Sequence, residues 1–246
     1  MFGLFKSSQV QPDLSFIAVD MHSHLLPALD DGLKTMEETV SFVKELQTLG
    51  FKKLICTPHI LTDVHNNSPE TILPRLAEVQ QALKDNNVDV EIQAAAEYMI
   101  DHEFEQIIKR GDKLLTFGKN FILVEMSYLA PSPNLDKVIF ELKVLGLQPI
   151  IAHPERYNYY HQQFSQYLRL KDMGCWLQVN LLSLAGYYGK QTKKVAEALI
   201  KANMIDLIGT DMHHNNHLNA TKAFTSHKDF YKILKGASLK NRMLLD

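Results

Sequence analysis

Short runs of apolar residues alternate along the chain with longer stretches in which apolar residues recur at helical spacing. The short runs predict seven strands, over residues 16–20, 53–57, 90–97, 120–126, 147–153, 176–184 and 206–211. The longer stretches predict helices, because capping residues such as Thr35 and Asp101 precede them and glycines such as Gly50 and Gly146 follow them. Near-continuous apolar strands between amphipathic helices are typical of a parallel sheet that helices cover.

The seven strand–helix units follow one another without a linker, an internal repeat or a low-complexity segment. The pattern therefore predicts one α/β domain over residues 1–246, with a short N-terminal extension over 1–15 and a C-terminal helical segment over 219–246. Seven units in one domain favour a closed or nearly closed βα barrel, with an open, doubly wound sheet as the alternative. The tail SLKNRMLLD packs either on this domain or on another subunit of a homo-oligomer.

Composition excludes several classes of protein. Hydrophobic residues make up 46% of the chain, charged residues 22%, and the net charge is -2 without a Lys/Arg block, so no nucleic-acid partner is expected. No run approaches the length of a membrane span, and MFGLFK is interpreted as a frayed terminus and not as a signal peptide. Two cysteines, Cys56 and Cys175, are too few for a disulfide framework, and these features together predict a cytoplasmic protein.

Histidine or carboxylate residues stand at the ends of six of the seven predicted strands. In βα barrels these strand ends form the rim that carries the chemistry. His22 and His24 are two residues apart, so they point the same way and can share one cation. Glu97 and Glu125 end apolar strands, where an unpaired carboxylate is costly and a cation can supply the missing charge. The rim predicts a metal site formed by His22, His24, His59, Glu97, Glu125, His153, Asp211 and His213.

Each rim residue also has a structural explanation when it is taken alone. A single buried histidine is more often a satisfied core residue than a ligand, and Glu97 or Glu125 could cap the following helix. These explanations lose force when they must account for the whole rim at once. The remaining histidines lie away from the strand ends, and four of them are expected to be solvated: His65, His102, His161 and His227.

The motifs MHSH with DDG after it, TPH, AAE, LVE, AHPER and GTDMH resemble, in order and in strand position, those of the polymerase-and-histidinol-phosphatase (PHP) superfamily. HSHLLPALDDG and AHPERY resemble one branch more closely, the metal-dependent tyrosine-protein phosphatases of bacterial capsule and exopolysaccharide operons. The resemblance covers roughly residues 18–235. It implies a distorted (β/α)₇ barrel of PHP type, with parallel strands and a trinuclear metal centre at their C-terminal rim.

The resemblance also implies ligands for three divalent cations. They are His22, His24, Glu97 and Asp211 for the first cation; Glu97, Glu125 and His153 for the second; and Asp31, His59 and His213 for the third. Asp30 receives no role, and Pro27 and Gly32 are interpreted as turn residues only.

Substrate binding is expected to involve Arg156, whose guanidinium can clamp a phosphate, although it could instead pair with Glu155 as a rim ion pair. Capsule-type phosphatases typically carry an arginine several residues after the DMH motif, whereas this chain reads DMHHNNHLNATK. Either His214, His217 or Lys222 replaces that arginine, or the substrate differs.

Imidazole and carboxylate ligands without thiolate indicate divalent cations, with Mn²⁺ as the first choice and Fe, Zn or Mg as alternatives. Neither cysteine precedes an arginine-bearing phosphate loop, which argues against a cysteine nucleophile. The predicted reaction is attack on phosphorus by a hydroxide that bridges two cations about 3.5–4 Å apart. Arg156 then acts as the catalytic clamp, and Asp31 and His59 assist near the third cation.

The predicted substrate is phosphotyrosine on the tail of a tyrosine autokinase of polysaccharide assembly. One alternative is a small phosphate ester such as histidinol phosphate, and another is a metal-stabilised module that docks a kinase tail without turnover. Tyr157, Tyr159 and Tyr160 could stack on an aromatic substrate, although packing against a helix is favoured.

Overall fold

A computed structural model describes residues 10–245 of the chain, so residues 1–9 of the predicted N-terminal extension and residue 246 lie outside it. Within that range the strands are β1 (Val19–Asp20), β2 (Lys53–Cys56), β3 (His59–Ile60), β4 (Glu91–Ala94), β5 (Glu97–Met99), β6 (Phe121–Glu125), β7 (Gln148–Ala152), β8 (Trp176–Asn180) and β9 (Leu207–Gly209). The α-helices are α1 (Met36–Thr48), α2 (Pro69–Asp85), α3 (His102–Arg110), α4 (Leu135–Val144), α5 (Phe164–Asp172), α6 (Leu181–Ala185), α7 (Lys190–Lys201), α8 (Asn215–Thr225) and α9 (Lys228–Leu234). Short 3₁₀ helices cover Pro154–Arg156, Asn158–Tyr160 and Asn241–Leu245. None of the helices in residues 10–245 combines the length and apolarity needed to cross a bilayer.

All strand pairs are parallel, which confirms the predicted α/β class. The strands pair in the orders β1-β2-β4 and β3-β5-β6-β7-β8-β9. The second predicted strand ends at Cys56 and is followed, beyond its predicted end and after Pro58, by the short strand β3, whereas the third predicted strand is split at Ala95–Ala96 into β4 and β5. Backbone hydrogen bonds continue across these breaks, since Ala95 N donates to Cys56 O (2.8 Å) and Glu97 N donates to Pro58 O (3.1 Å).

We call each segment of the chain that runs through the sheet a strand pass, whether it contains one strand or two. The first and last passes are also joined, beyond the ends of β1 and β9. Ser23 and Met212 form a parallel bridge, and Asp211 N donates to His22 O at 2.8 Å. Parallel contacts therefore run from the first pass to the seventh and back to the first, as expected for a distorted barrel.

The observed strands are shorter than the predicted ones, and in two cases the structure shows why. The first begins only at Val19, because residues 15–17 form a turn and Ala18 has a φ of 65°. The sixth ends at Asn180, and the apolar residues after it form α6. Apolar residues are buried in both conformations, so an apolar run alone does not separate a strand from a short buried helix.

Alternation along the strands sends neighbouring side chains to two different apolar clusters. Ile122 and Val124 pack in the larger cluster with residues of the helices, whereas Leu123 packs in a smaller cluster built mainly from strand residues. Ala95 belongs to the smaller cluster as well. Glu125 lies two residues after Leu123, and Glu97 lies two residues after Ala95. Each carboxylate therefore points to the same side as the smaller cluster.

The C-terminal tail packs on the strands of its own chain, which answers the question that the sequence left open. Asn241 is buried, and its Nδ2 donates to Val19 O (2.9 Å) and Ile208 O (2.6 Å). Its Oδ1 accepts a hydrogen bond from Ile208 N at 3.0 Å. Leu244 belongs to the smaller apolar cluster. The tail therefore joins the first strand to the last at the end opposite the rim.

We expect Asn241→Ala to lower the free energy of unfolding by about 2–4 kcal/mol, because it leaves three buried backbone groups without a partner. Urea unfolding measures this change, and Met243→Ala serves as the control because Met243 in the same tail is 50% exposed. An Asn241→Ala protein as stable as the control would contradict the role of the tail.

Candidate metal centre

Every side chain predicted as a ligand lies at the rim. Most of them are buried, but His59 and His213 are only partly so and Asp31 is more exposed. Three of them lie in strands: His59 in β3, Glu97 in β5 and Glu125 in β6. The others lie in the chain that follows a strand: His22, His24 and Asp31 after β1, His153 after β7, and Asp211 and His213 after β9. Groups of these side chains bring ligand atoms within 4.8 Å of one another.

The first donor set has the dimensions of a tetrahedral cation site. His22 Nε2 lies 3.1 Å from Glu97 Oε2, 3.3 Å from His24 Nε2 and 3.4 Å from Asp211 Oδ1. His24 Nε2 lies 3.4 Å from both carboxylate atoms. Ligand atoms about 2.0–2.2 Å from a tetrahedral divalent cation are separated by about 3.3–3.6 Å. These residues therefore fit a cation with little movement, and they are the set expected for the first metal.

A second set is arranged around Glu97 and Glu125. His153 Nε2 lies 3.0 Å from Glu97 Oε1 and 3.9 Å from Glu125 Oε2. His59 Nδ1 lies 3.2 Å from Glu97 Oε2 and 2.9 Å from Glu125 Oε1. The resemblance placed His59 only at the third cation, whereas its Nδ1 approaches the second set.

The third set lies at the opening of the site. Asp31 Oδ1 is 3.4 Å from His213 Nε2 and 3.6 Å from His59 Nε2. His24 joins this group as a fourth residue within ligand distance. His59 thus stands between the second and third sets, with one ring nitrogen toward each.

One buried nitrogen, His59 Nδ1, is placed as a cation ligand would be. His59 Nδ1 is close to two carboxylates, yet it makes no hydrogen bond to either of them. A buried polar atom without a partner is unusual and calls for an explanation such as a missing ion. A cation between His59 and the two glutamates would satisfy this nitrogen.

Charge in the cluster is balanced between carboxylates and imidazoles. Burial opposes ionisation of Glu97, but the neighbouring His22 and His59 outweigh it and hold its pKa well below the usual range. Burial lowers the pKa of His59, but Glu97 and Glu125 together outweigh this effect and raise the pKa to about 9. Divalent cations would replace the imidazole protons, because histidine binds metal only in its neutral form.

The sequence assigned no role to Asp30, yet this residue orients two of the expected ligands. Its buried Oδ2 accepts hydrogen bonds from His24 Nδ1 (2.7 Å) and from His59 N (3.1 Å). Gln178 Oε1 likewise accepts a hydrogen bond from His22 Nδ1 at 2.9 Å. In His24 and His22, the bond to Nδ1 leaves the Nε2 atom of the ring directed into the site, as is common for metal-binding histidines.

Two glycines allow the chain to approach these histidines closely. A Cβ atom on Gly32 would lie 2.2 Å from His24 O, and one on Gly209 would lie 2.6 Å from His22 Cβ. Gly32 is therefore more than the turn residue that the sequence indicated, because a side chain there would displace His24.

A cleft of about 360 Å³ opens onto the metal-ligand cluster, and Arg156 forms part of its wall. Arg156 Nη1 donates a hydrogen bond to Asp211 Oδ2 at 2.9 Å. Its guanidinium stacks between two tyrosine rings, 4.7 Å from the centre of Tyr128 and 4.2 Å from that of Tyr188. The alternative pairing of Arg156 with Glu155 is wrong, because Glu155 is buried and accepts hydrogen bonds from Asn180 N and Ser183 Oγ.

Comparison with known sequences identifies the family. A sequence model for the family described as capsular polysaccharide synthesis, CpsB/CapC, matches residues 18–229. This chain belongs to the CpsB/CapC family. The resemblance to capsule-operon phosphatases is thereby confirmed.

Relatives of this CpsB/CapC chain are named as tyrosine phosphatases. It is 28% identical to tyrosine-protein phosphatase YwqE of Bacillus subtilis over 80% of this chain and 77% of the relative. It is 27% identical to tyrosine-protein phosphatase CpsB of Streptococcus pneumoniae over 80% of this chain and 83% of the relative.

Solved structures support the same grouping. The crystal structures of YwqE and CpsB, described as unique metal-dependent tyrosine phosphatases, include a chain that superposes with a TM-score of 0.79. Sequence identity is 26%, and the match covers 92% of this chain and 91% of the other. An amidohydrolase from Mycoplasma synoviae matches at a TM-score of 0.51 and 12% identity, over 95% of this chain and 85% of the other, which shows a shared fold only.

Two histidines that follow the DMH motif line the cleft of this CpsB/CapC member. His214 and His217 both line it, and the Nδ1 atom of His217 lies 3.0 Å from Asp211 O. Lys222 instead forms an ion pair with Glu45 on α1. The segment after the DMH motif therefore presents imidazoles to the cleft and no lysine.

Several residues expected to be solvated or to bind substrate lie elsewhere. His65 lines the cleft and stacks on His59 with ring centres 5.5 Å apart, and His161 Nε2 bonds to Glu155 O at 2.7 Å, so neither is simply solvated. His102 and His227 are exposed, as expected.

Tyr157, Tyr159 and Tyr160 pack against one another outside the cleft, and the tyrosines in its wall are Tyr128 and Tyr188.

We expect Asp30→Asn to lower Mn²⁺ affinity about 10- to 100-fold, because His24 loses the carboxylate that orients its ring. Titration against a competing chelator measures the affinity. The control is Asp89→Asn, an exposed aspartate that precedes β4 and does not line the cleft. Unchanged affinity in Asp30→Asn would show that this carboxylate does not support the ligands.

Proposed function

We propose that this chain is a metal-dependent phosphomonoesterase that hydrolyses phosphotyrosine in proteins. The observation that carries the proposal is the set of imidazole and carboxylate atoms around Glu97, spaced as metal ligands at the base of a cleft that also holds Arg156. The named activity of the YwqE and CpsB relatives supports the same reaction.

We assign three divalent cations, with Mn²⁺ as the first choice, to the donor sets described above. Divalent cations bound there would supply Lewis-acid activation of the phosphoryl group and of water. Asp31 and His59 take part in the reaction by holding the cation nearest the opening. Because ligands such as Glu97 belong to more than one set, we expect the cations to bind as a group.

Arg156 is the group that we expect to bind the substrate phosphate directly. Asp211 holds one of its N–H groups, and two tyrosine rings keep the guanidinium plane in place. The remaining N–H groups can form paired hydrogen bonds to phosphate oxygens. His214 and His217 complete the substrate side of the cleft as additional polar contacts.

A phenolic leaving group suits this site. Tyrosine has a pKa of about 10, so its phenolate departs with little help from a general acid, whereas a sugar or serine alkoxide needs more. The family description places the chain in capsular polysaccharide synthesis, and we propose the tail of a tyrosine autokinase of that process as its substrate. Cys56 and Cys175 are buried free thiols, which supports a reducing, cytoplasmic location.

The deciding experiment compares hydrolysis of a phosphotyrosyl peptide with that of histidinol phosphate by the purified protein. We expect Mn²⁺-dependent turnover of the peptide, loss of turnover with a chelator, and a lower kcat/KM for histidinol phosphate. A preference for histidinol phosphate would support the small-molecule alternative. Protein that binds metal and the peptide but releases no phosphate would instead be a docking module, and either result would overturn the proposal.

We expect Arg156→Lys to lower kcat/KM for the phosphotyrosyl peptide about 10²- to 10³-fold, because lysine provides neither paired hydrogen bonds nor ring stacking. Metal content should stay unchanged. Arg169→Lys is the matched control, since Arg169 forms an exposed ion pair with Asp136 on α4. Equal activity of the two variants would remove Arg156 from the phosphate site.

A further inference from the structure

The side chain of Tyr128 lies beside both the metal-ligand cluster and Arg156. Tyr128 follows β6 in the loop after Glu125 and lines the cleft, and the residue is 42% exposed. Its Oη atom is 3.4 Å from His153 Nε2. This hydroxyl therefore belongs to the wall of the cleft and is close to an atom expected to bind a cation.

Two neighbouring groups fix the direction of the Tyr128 ring. The ring stacks on His153 with centres 5.7 Å apart and an angle of 25° between the planes. The Arg156 guanidinium lies over the same ring at 4.7 Å. A ring that packs against both an imidazole and a guanidinium has little freedom to turn its hydroxyl away from the cleft.

Cation binding would free this hydroxyl for another acceptor. In residues 10–245, His153 Nε2 is the one hydrogen-bond partner of Tyr128 Oη. The same Nε2 atom is 3.0 Å from Glu97 Oε1, in the position expected of a ligand. Once the lone pair of His153 Nε2 coordinates a cation, this nitrogen can no longer accept a hydrogen bond. The Tyr128 hydroxyl must then donate its hydrogen bond to another acceptor.

Besides its histidines, the cleft has few positively charged groups for a phosphate. Among the lining residues of the described chain, Arg156 is the one arginine or lysine. A phosphoryl group beside His153 and Arg156 would place an oxygen within reach of the Tyr128 hydroxyl. We propose that Tyr128 Oη donates a hydrogen bond to a non-bridging oxygen of the bound phosphate. This inference rests on the proposed phosphatase function.

The test compares Tyr128→Phe with the wild type in its affinity for inorganic phosphate, measured by calorimetry on the Mn²⁺-loaded protein. We expect binding to weaken about 10- to 100-fold, because one hydrogen bond to a charged group is lost. Metal content should not change. Tyr187→Phe is the control, since Tyr187 is equally exposed at 42% but does not line the cleft, and it should bind phosphate like the wild type.

Aryl phosphate kinetics provide a second readout. The loss of kcat/KM in Tyr128→Phe should match the loss of phosphate affinity, and it should be equal for p-nitrophenyl phosphate and phenyl phosphate. A larger loss for phenyl phosphate would overturn the proposal and assign the hydroxyl to the leaving group. Unchanged phosphate affinity, or loss of metal from the variant, would also overturn it. A wild type that hydrolyses neither ester would instead refute the proposed function.

Discussion

Burial of the Glu97 carboxylate is the constraint on which the rest of the site depends. The residue has no exposed surface, and ring nitrogens of His22, His24, His59 and His153 approach it at 3.0–3.4 Å. An uncompensated charge in such a place costs several kcal/mol, so positive charge must reach it from several directions. Protons on the imidazoles or divalent cations can provide that charge. The strand passes that carry these residues must therefore end at the same level along the barrel axis.

The backbone adopts unfavourable conformations to meet this requirement. His153 and Asp211 have φ angles of 33° and 52°, in the left-handed region that residues other than glycine rarely occupy. Such conformations cost on the order of 1–3 kcal/mol each and cluster at functional sites. In both cases the turn follows the end of a strand and directs a ligand into the cluster. The barrel and its C-terminal tail supply the stability that offsets this local strain.

The strands, and the rim position of eight of the expected ligands, could be predicted because both depend on local pattern, whereas Asp31 and the division into three cation sets followed only from the family resemblance. Apolar runs locate the strands, and parallel packing places their ends on one rim, so that Glu125 and His153 were expected together. The breaks at Pro58 and Ala95–Ala96 were not predicted, because an apolar run does not show where strand pairing is interrupted. Asp30 and Tyr128 were missed because loops position them, and no spacing in the sequence shows which way a loop side chain points. His65 was assigned to solvent for the same reason.

Metal analysis of a Glu97→Gln variant tests most directly whether Glu97 links divalent cations into one cluster. Glutamine keeps the size of the side chain but removes the charge that the imidazoles and cations share. Glu105→Gln is the control, because Glu105 is also buried but pairs with Lys137 on α4. We predict that the wild type and the control retain Mn²⁺ after gel filtration, whereas Glu97→Gln loses most of it. A Glu97→Gln protein with the metal content of the wild type would contradict the account.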